Sequence, residues 1–422
     1  MIKNHDELHE ECGVVAIWGD DNAAQLTYYG LHSLQHRGQE AAGIVVRNKS
    51  RKLNIHKGEG LVSEVFNKEK IEKLSGNAAI GHVRYSTAGG GGIMNVQPFL
   101  FRTLDGMMGI AHNGNIVNAN LLKKELEENG SIFNSTSDTE VLGHLIKRET
   151  GRFVDRICKS LEKIDGAFAF VILVEDALYV ARDRYGLRPL SMGRLPSGGY
   201  MFSSETCALD IAGAEYVRDV EPGEIIRVKD GIIKSKKYTE TLPICNKLCA
   251  MEYIYFSRPD SNLDGINVHT ARKTCGKTLF EEAPVEADLV IGVPDSSISA
   301  AIGYSEASGI PYEMGLIKNK YVGRTFIQPT QEMRERGVRM KLSAVSSIVK
   351  GKRVIMIDDS IVRGTTSKRI VRLLKEAGAT EVHVRIASPA IKFPCFYGVD
   401  ISTLEELISH LSLIHISEPT RP

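Results

Sequence analysis

Residues 353–366, Arg-Val-Ile-Met-Ile-Asp-Asp-Ser-Ile-Val-Arg-Gly-Thr-Thr, gather two carboxylates, three hydroxyls, two arginines and a glycine into one short span. The β-branched run 354–357 predicts a strand, and the spacing of Ile370, Val371, Leu373 and Leu374 predicts an amphipathic helix after it. Ligands of open α/β sheets collect at such a strand-to-helix junction. Gly364 lets the backbone approach a ligand, Ser360, Thr365 and Thr366 add donors, and the helix N-terminus favours an anion such as a sugar 5-phosphate. Asp358 and Asp359 cannot serve that phosphate. They suit ribose hydroxyls and a hard cation such as Mg²⁺, which takes oxygen ligands. Without the surrounding string, two acids after a buried strand would be read as solvated residues capping a helix.

The string 354–366 resembles the phosphoribosyl pyrophosphate (PRPP) motif of type I phosphoribosyltransferases, which implies that Asp358, Asp359, Ser360, Arg363, Gly364, Thr365 and Thr366 bind PRPP. Two further stretches are similar to that family. Gly292-Val-Pro-Asp-Ser-Ser297 resembles its pyrophosphate loop, with Ser296 at the position that contacts Mg²⁺ beside Asp358 and Asp359. On its own this stretch would be a turn capping the helix expected from Ile298. The basic stretch 318–327 resembles the flexible loop that closes on PRPP, with Tyr321, Arg324 and Thr325 as its working residues. Closure has a chemical purpose, because water competes with ammonia for C1 of the sugar.

A second set of residues lies at the other end of the chain. Cys12 stands immediately before an apolar strand, where a cysteine is commonly a small buried hydrophobe. Four strings alter that balance: Gln35-His-Arg-Gly-Gln39, Gly81-His-Val-Arg-Tyr-Ser-Thr87, His112-Asn-Gly-Asn115 and Ser137-Asp-Thr-Glu140. In this order they resemble the glutaminase domain of N-terminal-nucleophile amidotransferases. The resemblance implies Cys12 as nucleophile, and Asn113 with the Gly114 N–H as oxyanion donors. It assigns glutamine binding to Arg84, Thr87 and Asp138. Glutamine is a zwitterion, and a planar guanidinium suits its α-carboxylate while an aspartate suits its α-ammonium. Read locally, Asp138 is the N-cap of the next helix, and Asn113-Gly114 favours a hairpin turn. No neighbouring side chain offers Cys12 a base. In the family its own α-amino group does so, with a pKa of about 7.7–8.0. Residues 1–11 are therefore expected to be a propeptide, cleaved before Cys12.

These residues need two kinds of scaffold. Residues 12–242 are strand-rich, with expected strands at 13–18, 43–46, 167–174 and 178–181 and helices at 118–129 and 139–149. From about residue 285 strands and helices alternate: strands at 287–293, 312–316, 354–357 and 382–388, and a helix at 298–308. That alternation predicts a parallel sheet with crossover helices. Together with the resemblances, the expectation is an α+β N-terminal-nucleophile hydrolase domain, a four-layer αββα sandwich, at 12–242. An α/β type I phosphoribosyltransferase domain with a parallel sheet follows at 243–410.

The 422 residues suffice for two cores, and 53 basic against 52 acidic side chains leave a formal charge of +1. Nothing in that balance points to nucleic acid or an anionic membrane. The sequence has no apolar run of membrane-spanning length and no signal-peptide core, so a cytoplasmic location is expected. Seven scattered cysteines do not suggest a disulfide framework.

A glutaminase followed by a phosphoribosyltransferase resembles the glutamine phosphoribosylpyrophosphate amidotransferases. The resemblance implies glutamine, PRPP and Mg²⁺ as ligands, purine nucleotides as feedback inhibitors, and a homodimer or homotetramer. A purine-responsive DNA-binding regulator would need a basic helix-turn-helix and no glutaminase strings, the opposite of this chain. A sugar-isomerising amidotransferase would lack the string 358–366. In the iron-sulfur branch of the family, Cys249 and Cys395 match two of four [4Fe-4S] ligands, and a C-terminal Cys-x-x-Cys supplies the others. That motif is absent from this sequence, and Cys158, Cys207, Cys245 and Cys275 fall at other positions, where buried or inert thiols are expected. The expectation is that the chain as written holds no stable cluster. The resemblance ends near His410, and residues 411–422 read as an artefactual tail.

Overall fold

The computed structural model describes residues 12–85, 92–319, 342–399, 401, 404 and 407–409. The strand Gly13–Trp18 is buried along its whole length and alternates its side chains between two cores. Val14 and Ala16 face one core, Val15 and Ile17 the other. This strand lies in the middle of a seven-stranded antiparallel sheet, between Tyr200–Ser203 and Ala78–Arg84. A six-stranded antiparallel sheet, including Gly106–Ile116 and Gly166–Val174, packs on it through Val14, Ala16, Ile80, Ala169, Val171 and Phe202. Helices Ala23–Ser33 and Thr206–Ile211 cover the outer face of the first sheet. Helices Ala119–Glu128, Thr139–Arg148 and Phe153–Glu162 cover the second. The result is the expected four-layer αββα sandwich.

In the second half, Leu289–Gly292, Arg353–Asp358 and Glu381–Ile386 form a parallel three-stranded sheet with Arg353–Asp358 in the middle. Helix Thr365–Glu376 packs Ile370 and Leu374 on one face. Ile298–Ser308 covers the other with Ala300, Ala301 and Tyr304. Helix Val268–Glu282 crosses it so closely that a Cβ on Gly276 would lie 1.9 Å from the Ala300 carbonyl oxygen. The strand expected at 312–316 forms differently. Tyr312 makes a single parallel bridge to Val290, and Leu316–Lys318 pairs antiparallel with Leu342–Ala344 in a separate ribbon. The two ends of the stretch 318–345 thus pair with each other, and Leu316 and Leu342 pack into the core beside the parallel sheet.

Between the halves, Arg37, Glu205 and Glu252, all with fully buried side chains, form an ion network. Arg37 donates through Nε to Glu205, and its Nη2 lies 2.5 Å from Glu252 Oε2 and 2.9 Å from Ser257 Oγ. Burial disfavours the Arg37 charge, but the two carboxylates outweigh it and raise the pKa. Burial would likewise raise the Glu205 carboxyl, which Arg37 and His36 hold well below the usual range. The string 35–39 thereby contributes a junction between the halves. Among the described residues, no helix is long and apolar enough to cross a membrane.

Candidate functional sites

The first site gathers at the edge where the two stacked sheets meet. Gly13 pairs with Val83, and this register brings Arg84 and Tyr85 alongside Cys12. Cys12 is half-buried, and its thiol points to the Tyr85 carbonyl oxygen at 3.5 Å. Arg84 is buried at the strand end, and a Cβ on Gly38 would lie 2.6 Å from the Arg84 backbone. Only a glycine permits that approach.

Asn113 and Gly114 correct the turn reading. They lie within the strand Gly106–Ile116, opposite Ala169 and Phe168. Nine consecutive pairings with Gly166–Val174 override the local turn preference of Asn-Gly. Gly114 has φ +144°, and a Cβ there would lie 2.0 Å from the Ala167 carbonyl oxygen, so the glycine serves close strand packing. The Asn113 side chain is wholly buried. Its Nδ2 donates to Ser204 Oγ at 3.5 Å, and its Oδ1 has no hydrogen-bond partner among the described residues.

Asp138 stands at the N-cap position of Thr139–Arg148 but makes no cap bond with its side chain. Its Oδ2 instead accepts from the Ile116 N–H at 2.8 Å, which ties the helix start to the strand carrying Asn113. His112 backs this arrangement. It stacks on Phe170 at 4.4 Å, its Nδ1 lies 3.2 Å from Thr139 Oγ1, and burial pushes its pKa down, so the ring is neutral.

Ser204 belongs to the same site and carries no local sequence signal. Its hydroxyl accepts from Val14 N–H at 3.0 Å and from Asn113 Nδ2, joining residues 190 and 91 positions away. Only the folded pairing of the strands reveals that bridge.

The second site forms at the carboxyl end of Arg353–Asp358. Asp358 and Asp359 are both buried. Ser296 donates to Asp359 Oδ2, Ser360 donates to Asp359 Oδ1 at 2.8 Å, and Ser297 and Ser367 reach Asp358 at 3.4 and 3.3 Å. Ser297, at the N-cap position of the helix Ile298–Ser308, makes no cap bond with its side chain and turns to Asp358 instead. Burial, with the neighbouring Asp359 charge, pushes the Asp358 carboxyl up to about 7, and burial raises Asp359 as well. Acids so disfavoured as a bare pair are natural partners for a divalent cation.

Gly364, at φ +75°, turns the chain into Thr365–Glu376, so Thr365 and Thr366 occupy the first helical turn. Arg363, half-buried, precedes the turn. A small cavity of about 30 Å³ is lined by Ser296, Ser297, Asp359, Arg272, Tyr253 and Cys275, among others. Helix Val268–Glu282 thus contributes a guanidinium to this site.

Thr87, Tyr321, Arg324, Thr325, residues 1–11 and the tail 411–422 lie outside the described residues. Cys249 and Cys395 are half-buried. Cys249 N–H donates to the Leu187 carbonyl, and Cys395 packs against the small core of Phe256, Val399, Ile401 and Leu407 while its sulfur accepts from the Tyr397 N–H at 3.3 Å. Of the other four cysteines, Cys158 and Cys207 are buried as expected, whereas Cys245 and Cys275 are exposed. Among the described residues, no group of three or more His, Cys, Asp or Glu is arranged to hold a metal ion.

Residues 88–210 match the glutamine amidotransferase domain family, and residues 270–389 the phosphoribosyl transferase domain family. The chain is 62% identical over 412 residues to the amidophosphoribosyltransferase of Bacillus subtilis strain 168, covering 97% of this chain and 86% of that protein. It is 56% identical over 408 residues to the amidophosphoribosyltransferase of Staphylococcus aureus strain Mu50, covering 96% and 82%. Two solved structures are similar. The glutamine PRPP amidotransferase of B. subtilis complexed with ADP and GMP has a TM-score of 0.90 and 60% identity, covering 96% of this chain and 88% of that one. A structure described as the allosteric regulatory enzyme of purine biosynthesis has a TM-score of 0.91 and 61% identity, covering 96% and 87%.

Proposed function

This chain belongs to the amidophosphoribosyltransferase family, and from that premise we propose which of its residues carry the two half-reactions. The enzyme transfers ammonia from glutamine to C1 of PRPP, giving 5-phosphoribosylamine, glutamate and pyrophosphate, the first step of de novo purine nucleotide synthesis. In our reading residues 12–242 release the ammonia and residues 243–410 use it.

In the glutaminase half, the Cys12 thiolate attacks the side-chain amide carbonyl of glutamine. The electron pair moves to the carbonyl oxygen, where Asn113 Nδ2 and the Gly114 N–H are its donors. The buried position of Asn113 supports this role, because a donor held away from water needs little reorganisation when charge develops. Arg84 holds the α-carboxylate and Asp138 the α-ammonium, with Thr87 beside them. Collapse of the intermediate expels ammonia and leaves a thioester, which water hydrolyses to glutamate. The proton that the α-amino group of Cys12 takes from its thiol passes to the departing nitrogen, which leaves as ammonia; this role of the amine requires removal of residues 1–11.

In the second half, Thr365, Thr366 and the turn at Gly364 receive the 5-phosphate, Ser360 and Arg363 flank it, and Asp358 and Asp359 face the ribose hydroxyls. Tyr321, Arg324 and Thr325 close over the bound sugar. Ser296, Asp358 and Asp359 form an all-oxygen donor set that fits Mg²⁺. Bound there, Mg²⁺ supplies charge neutralisation for the departing pyrophosphate. Ammonia then attacks C1 as the C1–O bond to pyrophosphate breaks.

Cys249 and Cys395, both half-buried, would supply two of the four thiolates that a [4Fe-4S] cluster takes. By analogy with the nucleotide-bound relative, we infer purine nucleotide inhibitors, and with them a cytoplasmic homo-oligomer.

The observation that carries this reading is the convergence of Ser296, Ser297, Ser360 and Ser367 on the adjacent carboxylates Asp358 and Asp359 in the same chain as the Cys12 site. The test is stoichiometry. With glutamine, PRPP and Mg²⁺, the chain should yield glutamate, pyrophosphate and phosphoribosylamine in equal amounts. Glutamate without pyrophosphate would refute the second site.

A further inference from the structure

The two halves touch at a place that neither half-reaction uses. The turn 396–398 of the second half lies against the strand end that follows Asn113 and Gly114. Asn115 Nδ2 donates to the Phe396 carbonyl at 2.9 Å, and Arg188 Nη2 donates to the Tyr397 carbonyl at 2.5 Å. The third residue, Gly398, has φ +111°. A Cβ there would lie 2.8 Å from Arg188 Nη2 and 3.2 Å from Asn115 Cβ, so the turn seats only with a glycine. The Tyr397 N–H returns to the Cys395 sulfur at 3.3 Å and fixes the turn internally.

The placement of Asn115 gives these contacts a consequence. The residue before it, Gly114, is the backbone donor for the glutamine oxyanion in our reading. The residue after it, Ile116, holds Asp138 through its N–H at 2.8 Å. Arg188 adds a second anchor, since its Nη1 lies 3.6 Å from Glu252 Oε1 in the buried junction network. The turn therefore bears on the strand segment that orients both the oxyanion donor and the ammonium-binding carboxylate.

We propose that the turn 396–398 is a strap by which the phosphoribosyltransferase half holds the glutamine site in shape, with Asn115 and Arg188 as its positioning residues. The proposal rests on the glutaminase reading above but assigns the strap no contact with either substrate. Its consequence is that a change in the second half is felt as glutamine affinity.

Three variants of the full chain test it: Asn115→Ala, Gly398→Ala and the two combined. Each is assayed with glutamine and, separately, with ammonium salts as nitrogen donor. The expected result for each single variant is a rise in KM for glutamine of about fivefold, the scale of one neutral hydrogen bond. Ammonia-dependent phosphoribosylamine formation should remain within a factor of two of wild type, and the double variant should be no worse than the poorer single one. An unchanged KM for glutamine in Gly398→Ala, additive effects in the double variant, or parallel loss of the ammonia-dependent activity would each overturn the strap. Failure of the wild type to make phosphoribosylamine from either donor would instead overturn the underlying functional reading.

Discussion

Ser204 Oγ accepts hydrogen bonds from both the Val14 N–H and Asn113 Nδ2, and so couples the strand that follows Cys12 to the strand that carries Asn113. Neither strand could shift along its axis without breaking one of these bonds. Removing the hydroxyl should leave the fold intact and blunt glutamine chemistry alone. Ser204→Ala is expected to lower kcat with glutamine about tenfold, the scale of a loosened oxyanion donor. Activity with ammonium salts should be unchanged, and equal loss with both donors would show a general structural role.

The buried pair of carboxylates around Arg37 makes a stability prediction. Arg37→Ala leaves Glu205 and Glu252 buried without their shared cation. Breaking a buried pair in this way costs about 3–5 kcal/mol. Chemical denaturation should show a loss of that size together with weakened association of the two halves, measured as easier proteolysis between residues 239 and 250. A loss below about 1 kcal/mol would mean that water reaches the network.

Asp358 makes a pH prediction with a definite sign. Its carboxyl is raised to about 7 by burial and by the Asp359 charge, well above its unfolded value. Without divalent cations the folded state therefore holds a proton that the unfolded state lacks, and the resulting stabilisation is lost as pH rises through about 7. Mg²⁺ needs the deprotonated pair, so its affinity should rise over the same range. Thermal shifts at pH 6 and pH 8 should show Mg²⁺ stabilising more at pH 8. Asp358→Asn should remove most of that difference and weaken PRPP use with either nitrogen donor, while glutamine hydrolysis survives.

Much of this was legible in the sequence wherever the signal is local. Gly13–Trp18 and Ile298–Ser308 have the expected bounds, because each has a continuous apolar pattern that one core or two cores can bury. The oxygen-rich junction at Asp358 and Asp359 follows from a strand, two acids and a Gly-Thr-Thr turn. Asn113-Gly114 misleads when read locally, since its strand conformation is imposed by partners more than fifty residues away. Asp138 misleads for a related reason: its carboxylate bonds the Ile116 N–H instead of its own helix. Ser204 and the strap at Gly398 have no local signature at all. Their roles exist only as contacts between distant segments, which hydrophobic periodicity does not encode.

The central claim is that one chain holds two separable sites, with Cys12 serving only the release of ammonia. Cys12→Ala tests it most directly. The account predicts that this variant makes no phosphoribosylamine from glutamine, yet makes it from ammonium salts, PRPP and Mg²⁺ at a rate within about twofold of wild type, since no transition-state contact at C1 is lost. A folded Cys12→Ala protein that has lost both activities, or one that still uses glutamine, would contradict it.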